Sequence, residues 1–231
     1  MLTEAQRSQY QEQGYLILPH LFTREEMEAA SAECERFQAM VADWEESSGD
    51  FNLEAPGGGF FGMQGGVKSY KGVLRKVHNV IAHSALFKSF SEDPRITELM
   101  QAIIGPRLQV TTTVLWFKPS RVGSVKPWHQ ELAYFTERGL IETSIWIAID
   151  PATKENGCMQ FIPGSHKLGL IPHDGDELQL DEQRVDVSKA IYCELEPGSA
   201  VMFHSLILHK TAENLSDKPR RSFTFQYNRP A

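Results

Sequence analysis

Between Thr23 and about Trp44, apolar residues recur at three- and four-residue steps: Met27, Ala30, Cys34, Phe37 and Val41. That period places them on one face of a helix, and Thr23 with Glu26 supplies a capping box to open it. Thr3 with Gln6 opens a shorter helix in the same way, and GYLILP (14–19) between them reads as a strand. HSALFKSFSEDPRITELMQAIIG (83–105) reads as two helices divided near Asp93 and Pro94, with Gly105 as the stop. Beyond Gly105 the period changes to two. Strands are expected at 108–117, 142–149, 158–162, 190–195, 199–209 and 221–227, with turn signals between them. Helices followed by many short strands argue an α+β chain with an antiparallel sandwich or barrel. Segment 48–72 breaks both patterns. It holds eight glycines and three phenylalanines, which suits a lid or pocket wall.

Composition narrows the partners rather than the fold. The 231 residues suffice for one well-buried domain, here expected over 1–231 with a mainly helical part to 105 and a β core from 106. A net charge of −7 gives no electrostatic support for a nucleic-acid partner. Cys34, Cys158 and Cys193 are odd in number and widely spaced, so they read as free thiols rather than a disulfide or zinc framework. The opening residues do not read as a signal peptide, and no run is long enough to span a membrane, so a cytoplasmic location is expected. Nothing in the pattern specifies an oligomeric state.

The chemistry lies in two segments. In KPWHQELAY, Glu131 follows His129 by two residues, and in an extended chain residues two apart share a face. His209 closes the strand SLILH and can offer a third ligand across a sheet. Two histidines and one carboxylate on one side of a metal leave positions open, as suits a non-haem Fe(II) oxygenase. Arg220 lies eleven residues beyond His209. Pointing into the same cavity, it would grip a carboxylate with a two-pronged charge-assisted hydrogen bond. By contrast, His166 in IPGSH and His204 beside Phe203 read as structural.

These segments are part of a longer resemblance. GYLILPHLFTREEM, LWFKP, PWHQELAYF, ENGCMQFIPGSHKLG and FHSLILHKTAENLSDKPRRSFTF together resemble the phytanoyl-CoA dioxygenase superfamily of Fe(II)/2-oxoglutarate oxygenases. The resemblance implies a double-stranded β-helix, or jelly roll, flanked by N-terminal helices. It implies Fe(II) on His129, Glu131 and His209, with 2-oxoglutarate and O2 as cosubstrates. It places Arg220 on the distal carboxylate of 2-oxoglutarate with Thr211 as a hydroxyl partner, and puts Lys76, Gln130 and Trp146 at the same pocket. One departure stands out: the family's usual carboxylate is Asp, and Glu131 is one methylene longer.

The expected activity is hydroxylation or another oxidative tailoring, such as cyclisation, of a small-molecule metabolite, with succinate and CO2 as co-products. Phe60, Phe61, Tyr134 and Phe135 are the candidate substrate contacts. A catalytically silent protein that binds the metal and 2-oxoglutarate on the same fold is the competing expectation.

Overall fold

The structure is a computed structural model that describes residues 2–56, 69–135, 143–174 and 180–230. Two antiparallel sheets form the core. The larger has seven strands in the order β1-β9-β6-β11-β4-β3-β2, and the smaller has four in the order β5-β10-β7-β8. The large sheet comprises β1 (Tyr15–Leu18), β2 (Phe51–Leu53), β3 (Leu74–His78), β4 (Gln109–Lys118), β6 (Thr143–Ala148), β9 (Ala200–His204) and β11 (Arg220–Asn228). The small sheet comprises β5 (Lys126–His129), β7 (Met159–Phe161), β8 (Ile191–Cys193) and β10 (His209–Thr211). This is the expected jelly roll with helices on one face.

The helices are α1 (Glu4–Gln13), α2 (Arg24–Met40), α3 (Val80–His83), α4 (Ala85–Ser91) and α5 (Pro94–Ile104). Both capping boxes form: Thr3 and Thr23 each accept from the backbone three residues on, and Gln6 and Glu26 reach back. The buried stripe of α2 is Met27, Ala30, Cys34 and Phe37, as its period requires. It packs with Phe87 and Phe90 of α4 and Ile96, Met100 and Ile104 of α5 against the outer face of the large sheet.

Three strands come from the part expected to be mainly helical. β1, β2 and β3 all join the large sheet, and β2 lies within the Gly-rich stretch. β2 has three residues and β5 four, too few for an alternating pattern to declare itself. The expected strand 199–209 is two strands in opposite sheets, β9 and β10, joined by a tight turn in which Ile207 donates to His204 O.

The strand that matters most is β11, paired on both sides with β4 and β6. Its alternation separates two buried faces. Phe223, Phe225 and Tyr227 enter the helix-covered core, where Phe223 lies against Phe22, Phe87 and Phe90. Arg220, Ser222, Thr224 and Gln226 face the space between the sheets, and all four are buried. Phe223 is fully buried at the junction of sheet and helices. Phe223→Ala is therefore expected to destabilise the protein by about 3–5 kcal/mol. A denaturant melt that moved by less than about 1 kcal/mol would contradict that packing.

Candidate metal and cosubstrate site

β5 and β10 are neighbours, and their register places His129 directly opposite His209. Gln130 stays extended, at φ −117° and ψ 133°, and a 3-10 turn (Glu131–Tyr134) begins immediately after it. The extended residue keeps His129 and Glu131 on one side, although Glu131 itself has left the strand. The backbone of Leu132 donates to Ser205 O and fixes the start of the turn.

His129 Nδ1 lies 2.8 Å from Pro127 O, and His209 Nδ1 lies 3.0 Å from Ile207 O. A carbonyl oxygen only accepts, so each Nδ1 carries the proton and donates. A neutral imidazole has one N–H, so each Nε2 presents a lone pair. Those two lone pairs converge on Glu131 Oε1, which is 3.4 Å from His129 Nε2 and 3.1 Å from His209 Nε2. Burial and the neighbouring His209 push the His129 pKa down to about 4, so the neutral form prevails near neutrality. Three acceptors aimed at one point repel each other unless a cation sits among them. Neighbouring ligands around one metal ion, at bonds of about 2.1 Å, are about 3.0–3.4 Å apart. His129, Glu131 and His209, whose donor atoms all lie within 4.8 Å of one another, thus fit a divalent metal.

The two arginines at the start of β11 show what a buried guanidinium normally requires. Arg221, facing the helices, holds Asp150 with two parallel hydrogen bonds of 2.8 Å. Arg220, facing between the sheets, is 4 % exposed, and its Nε and Nη1 have no hydrogen-bond partner among the described residues. Burial pushes its pKa down to about 10. Its contact is the face of Trp146, 5.2 Å from the guanidinium carbon. A charge held this way is poised for an incoming anion.

Lys118, on the strand beside Arg220, was not among the expected residues. It is buried, and its Nζ donates to Thr211 Oγ1 at 3.0 Å, to Ser124 O at 2.8 Å and to Ala212 O. Burial, then the Arg220 charge, holds its pKa well below the ordinary lysine value. Because Lys118 donates to Thr211 Oγ1, the Thr211 hydroxyl is left to donate its own proton elsewhere. Lys76 is buried on the same sheet face, with Nζ 5.7 Å from the Trp116 ring centre.

Other expected residues fall differently. Gln130 is fully buried, but its amide donates to Gly169 O and Leu206 O and its carbonyl accepts from Ile171 N. Its donors are engaged in bracing loop backbone, so it positions the segment between the two ligands instead of offering hydrogens to a cosubstrate. Tyr134 packs edge-on to the His129 ring at 5.7 Å, and Phe135 follows it at 6.4 Å. Phe60 and Phe61 lie outside the described residues. His166 lies over Gly14, the left-handed cap of α1, and its Nε2 donates to Gln11 O. His204 accepts from Leu206 N. Neither joins the triad.

The sequence profile of the family described as phytanoyl-CoA dioxygenase (PhyH) matches residues 10–222. The chain belongs to the phytanoyl-CoA dioxygenase family. Membership makes it a dioxygenase of the Fe(II)- and 2-oxoglutarate-dependent kind, and the donor set above suits that cofactor. A rat relative, phytanoyl-CoA dioxygenase domain-containing protein 1, is 28% identical over 97% of this chain and 89% of its own length. Two solved structures share the fold. EctD from S. alaskensis, with 2-oxoglutarate and 5-hydroxyectoine, has a TM-score of 0.77 at 17% identity, over 99% of this chain and 76% of its own. EvdO2 from Micromonospora carbonacea var. aurantiaca, complexed with 2-oxoglutarate, has a TM-score of 0.72 at 22% identity, over 98% and 91%. Among the described residues, no helix is long and apolar enough to cross a membrane.

Proposed function

We propose that His129, Glu131 and His209 hold the Fe(II), that Arg220 and Thr211 receive the distal carboxylate of 2-oxoglutarate, and that the protein oxidises a small, polar organic molecule. The observation that carries this reading is Arg220. It is a buried guanidinium with two nitrogens, Nε and Nη1, lacking hydrogen-bond partners among the described residues, on the sheet face that also carries Gln226, which touches the metal triad. A metal-binding jelly roll without a 2-oxo acid cosubstrate gives such a charge no purpose. Iron bound there supplies the activation of O2, with 2-oxoglutarate converted to succinate and CO2 and a C–H bond of the substrate oxidised. The protein's part is to hold the carboxylate end still, fix the ligand atoms and exclude water.

The polarity of the substrate follows from the same face. β2, β3, β4, β11 and β6 align Asn52, Lys76, Trp116 and Ser222 in one row, and His78, Val114, Thr224 and Trp146 in the next. Asn52 Oδ1, His78 Nε2, Ser144 Oγ, Ser222 Oγ and Gln226 Oε1 are buried without a hydrogen-bond partner among the described residues. Covering them with an aliphatic acyl chain would leave each unsatisfied, at about 1–3 kcal/mol apiece. A substrate rich in hydroxyl, amide or amine groups satisfies them. Hydroxylation is the default outcome, and cyclisation or epimerisation are open to the same chemistry.

The test is succinate release from 2-oxoglutarate with Fe(II) present, across matched panels of polar metabolites and acyl-CoA thioesters. Release stimulated by a polar compound supports the reading. Stimulation by long-chain acyl-CoA alone would overturn the polar assignment. No release with any compound, and none without one, would identify a catalytically silent binding protein.

A further inference from the structure

Glu131 is longer than the aspartate usual at its position, and a longer carboxylate has more ways to meet a metal. An untethered Glu can swing to present both oxygens. That would occupy a position needed by 2-oxoglutarate, which requires two, or by O2, which requires one. The second oxygen of Glu131 is already engaged. Glu131 Oε1 faces the two histidines, while Oε2 accepts a 2.9 Å hydrogen bond from Gln226 Nε2. A carboxylate only accepts, so the Gln226 amide must present its nitrogen here.

Gln226 is well placed to hold that bond. It is 5 % exposed on β11, flanked in register by Thr112 of β4 and Ser144 of β6. Its backbone carbonyl accepts from Thr111 Oγ1 at 3.2 Å, at the point where the β4–β11 register shifts, which fixes the main chain that carries the side chain. The anchor is thus part of the large sheet, whereas Glu131 sits on a short turn after the small sheet. One hydrogen bond joins the two sheets at the metal site.

We propose that Gln226 is a positioning residue that makes Glu131 a one-oxygen donor and so keeps open the positions that 2-oxoglutarate and O2 require. This rests on the metal and cosubstrate reading above. The two residues form a matched pair: a long carboxylate and an amide that ties back its second oxygen.

The experiment separates metal binding from cosubstrate binding in Gln226→Leu. Mn(II) affinity is measured on the metal-free protein by the loss of the free-ion electron paramagnetic resonance signal. 2-Oxoglutarate affinity is then measured by calorimetry on the Mn(II)-loaded protein. Gln226→Leu is expected to bind Mn(II) as tightly as wild type or more tightly, because Glu131 can now give both oxygens. Its 2-oxoglutarate affinity is expected to fall by about 10- to 100-fold, in line with one charge-assisted hydrogen bond. Glu131→Asp/Gln226→Leu should bind 2-oxoglutarate within about threefold of Glu131→Asp alone, because the shorter acid no longer needs the tether (a threefold ratio being about 0.65 kcal/mol). A parallel loss of Mn(II) and 2-oxoglutarate affinity would mean that Gln226 merely supports the site, and would overturn the proposal. So would unchanged 2-oxoglutarate affinity in Gln226→Leu, or no recovery in the double variant. If wild type itself failed to bind Mn(II) or 2-oxoglutarate, the underlying site reading would fail first, and that result is distinguishable because it requires no variant.

Discussion

A His209→Ala protein is expected to lose metal binding and all 2-oxoglutarate-dependent succinate release while keeping its fold. His209 sits at the centre of the small sheet, opposite His129 on one side and Phe161 on the other. Its ring is 4.1 Å from that of His129 and 5.0 Å from that of Phe203. With Nδ1 engaged by Ile207 O, its only remaining role is to present the Nε2 lone pair. Substitutions that merely disturb a ligand's supporting hydrogen bonds cost about 10- to 100-fold in metal affinity, so loss of the ligand should cost more. The metal-free proteins should differ less. Removing one of three converging acceptors relieves repulsion and partly offsets the cavity left by the ring. Thermal melts with and without Mn(II) measure both effects. Wild type should gain stability with Mn(II), and His209→Ala should gain none. If the variant still released succinate at more than about 1% of the wild-type rate, the ligand assignment would be wrong.

Arg220→Met should have the second largest effect, and its sign depends on whether cosubstrate is present. With 2-oxoglutarate, two charge-assisted hydrogen bonds to its carboxylate are lost. At about 1.5–3 kcal/mol each, that lowers affinity by about 10²–10³-fold or more. Without 2-oxoglutarate, the variant removes a buried charge whose Nε and Nη1 have no hydrogen-bond partner among the described residues. Methionine fills much of the same space beside Trp146 without the desolvation penalty. The ligand-free variant is therefore expected to melt at or above the wild-type temperature, while losing the stabilisation that 2-oxoglutarate gives wild type. An ordinary structural arginine behaves in the opposite way. Arg221, with its bidentate Asp150 partner, would leave a buried carboxylate unpaired if replaced. A large drop in the stability of ligand-free Arg220→Met, or unchanged 2-oxoglutarate affinity, would place Arg220 in that structural class.

The two arginines also show how far the sequence was legible. Both lie in PRRSFTFQY; the sequence marks 221–227 as a strand, and β11 begins one residue earlier, at Arg220. The alternation of β11 then separates them, one to each side of the sheet. The same alternation carries Gln226 to the face of Arg220, because the two are an even number of residues apart. That signal was available. What hid Gln226 was its use: a glutamine on a strand next to aromatics reads as an ordinary polar position until Glu131 is found beside it. Lys118 is similar. A lysine closing a strand reads as exposed, and only the return of β10 and the turn at Ser124 buries it among three oxygen acceptors.

By itself, the sequence determined the local matters. Capping residues and the three- and four-residue steps specified α1, α2, α4 and α5. Two-residue alternation specified the longer strands, and the spacing of His129 and Glu131 put two candidate ligands on one segment. These are decided within a few residues by backbone geometry, so they can be read along the chain. Only the tertiary structure decided which strand faces which. It set His129 opposite His209, left Arg220 Nε and Nη1 without a hydrogen-bond partner among the described residues, and brought Gln226 from one sheet to Glu131 beside the other. Those relations depend on strand order and register between segments as much as 95 residues apart. No local preference encodes them; they follow from burying the apolar faces of both sheets and the helices together.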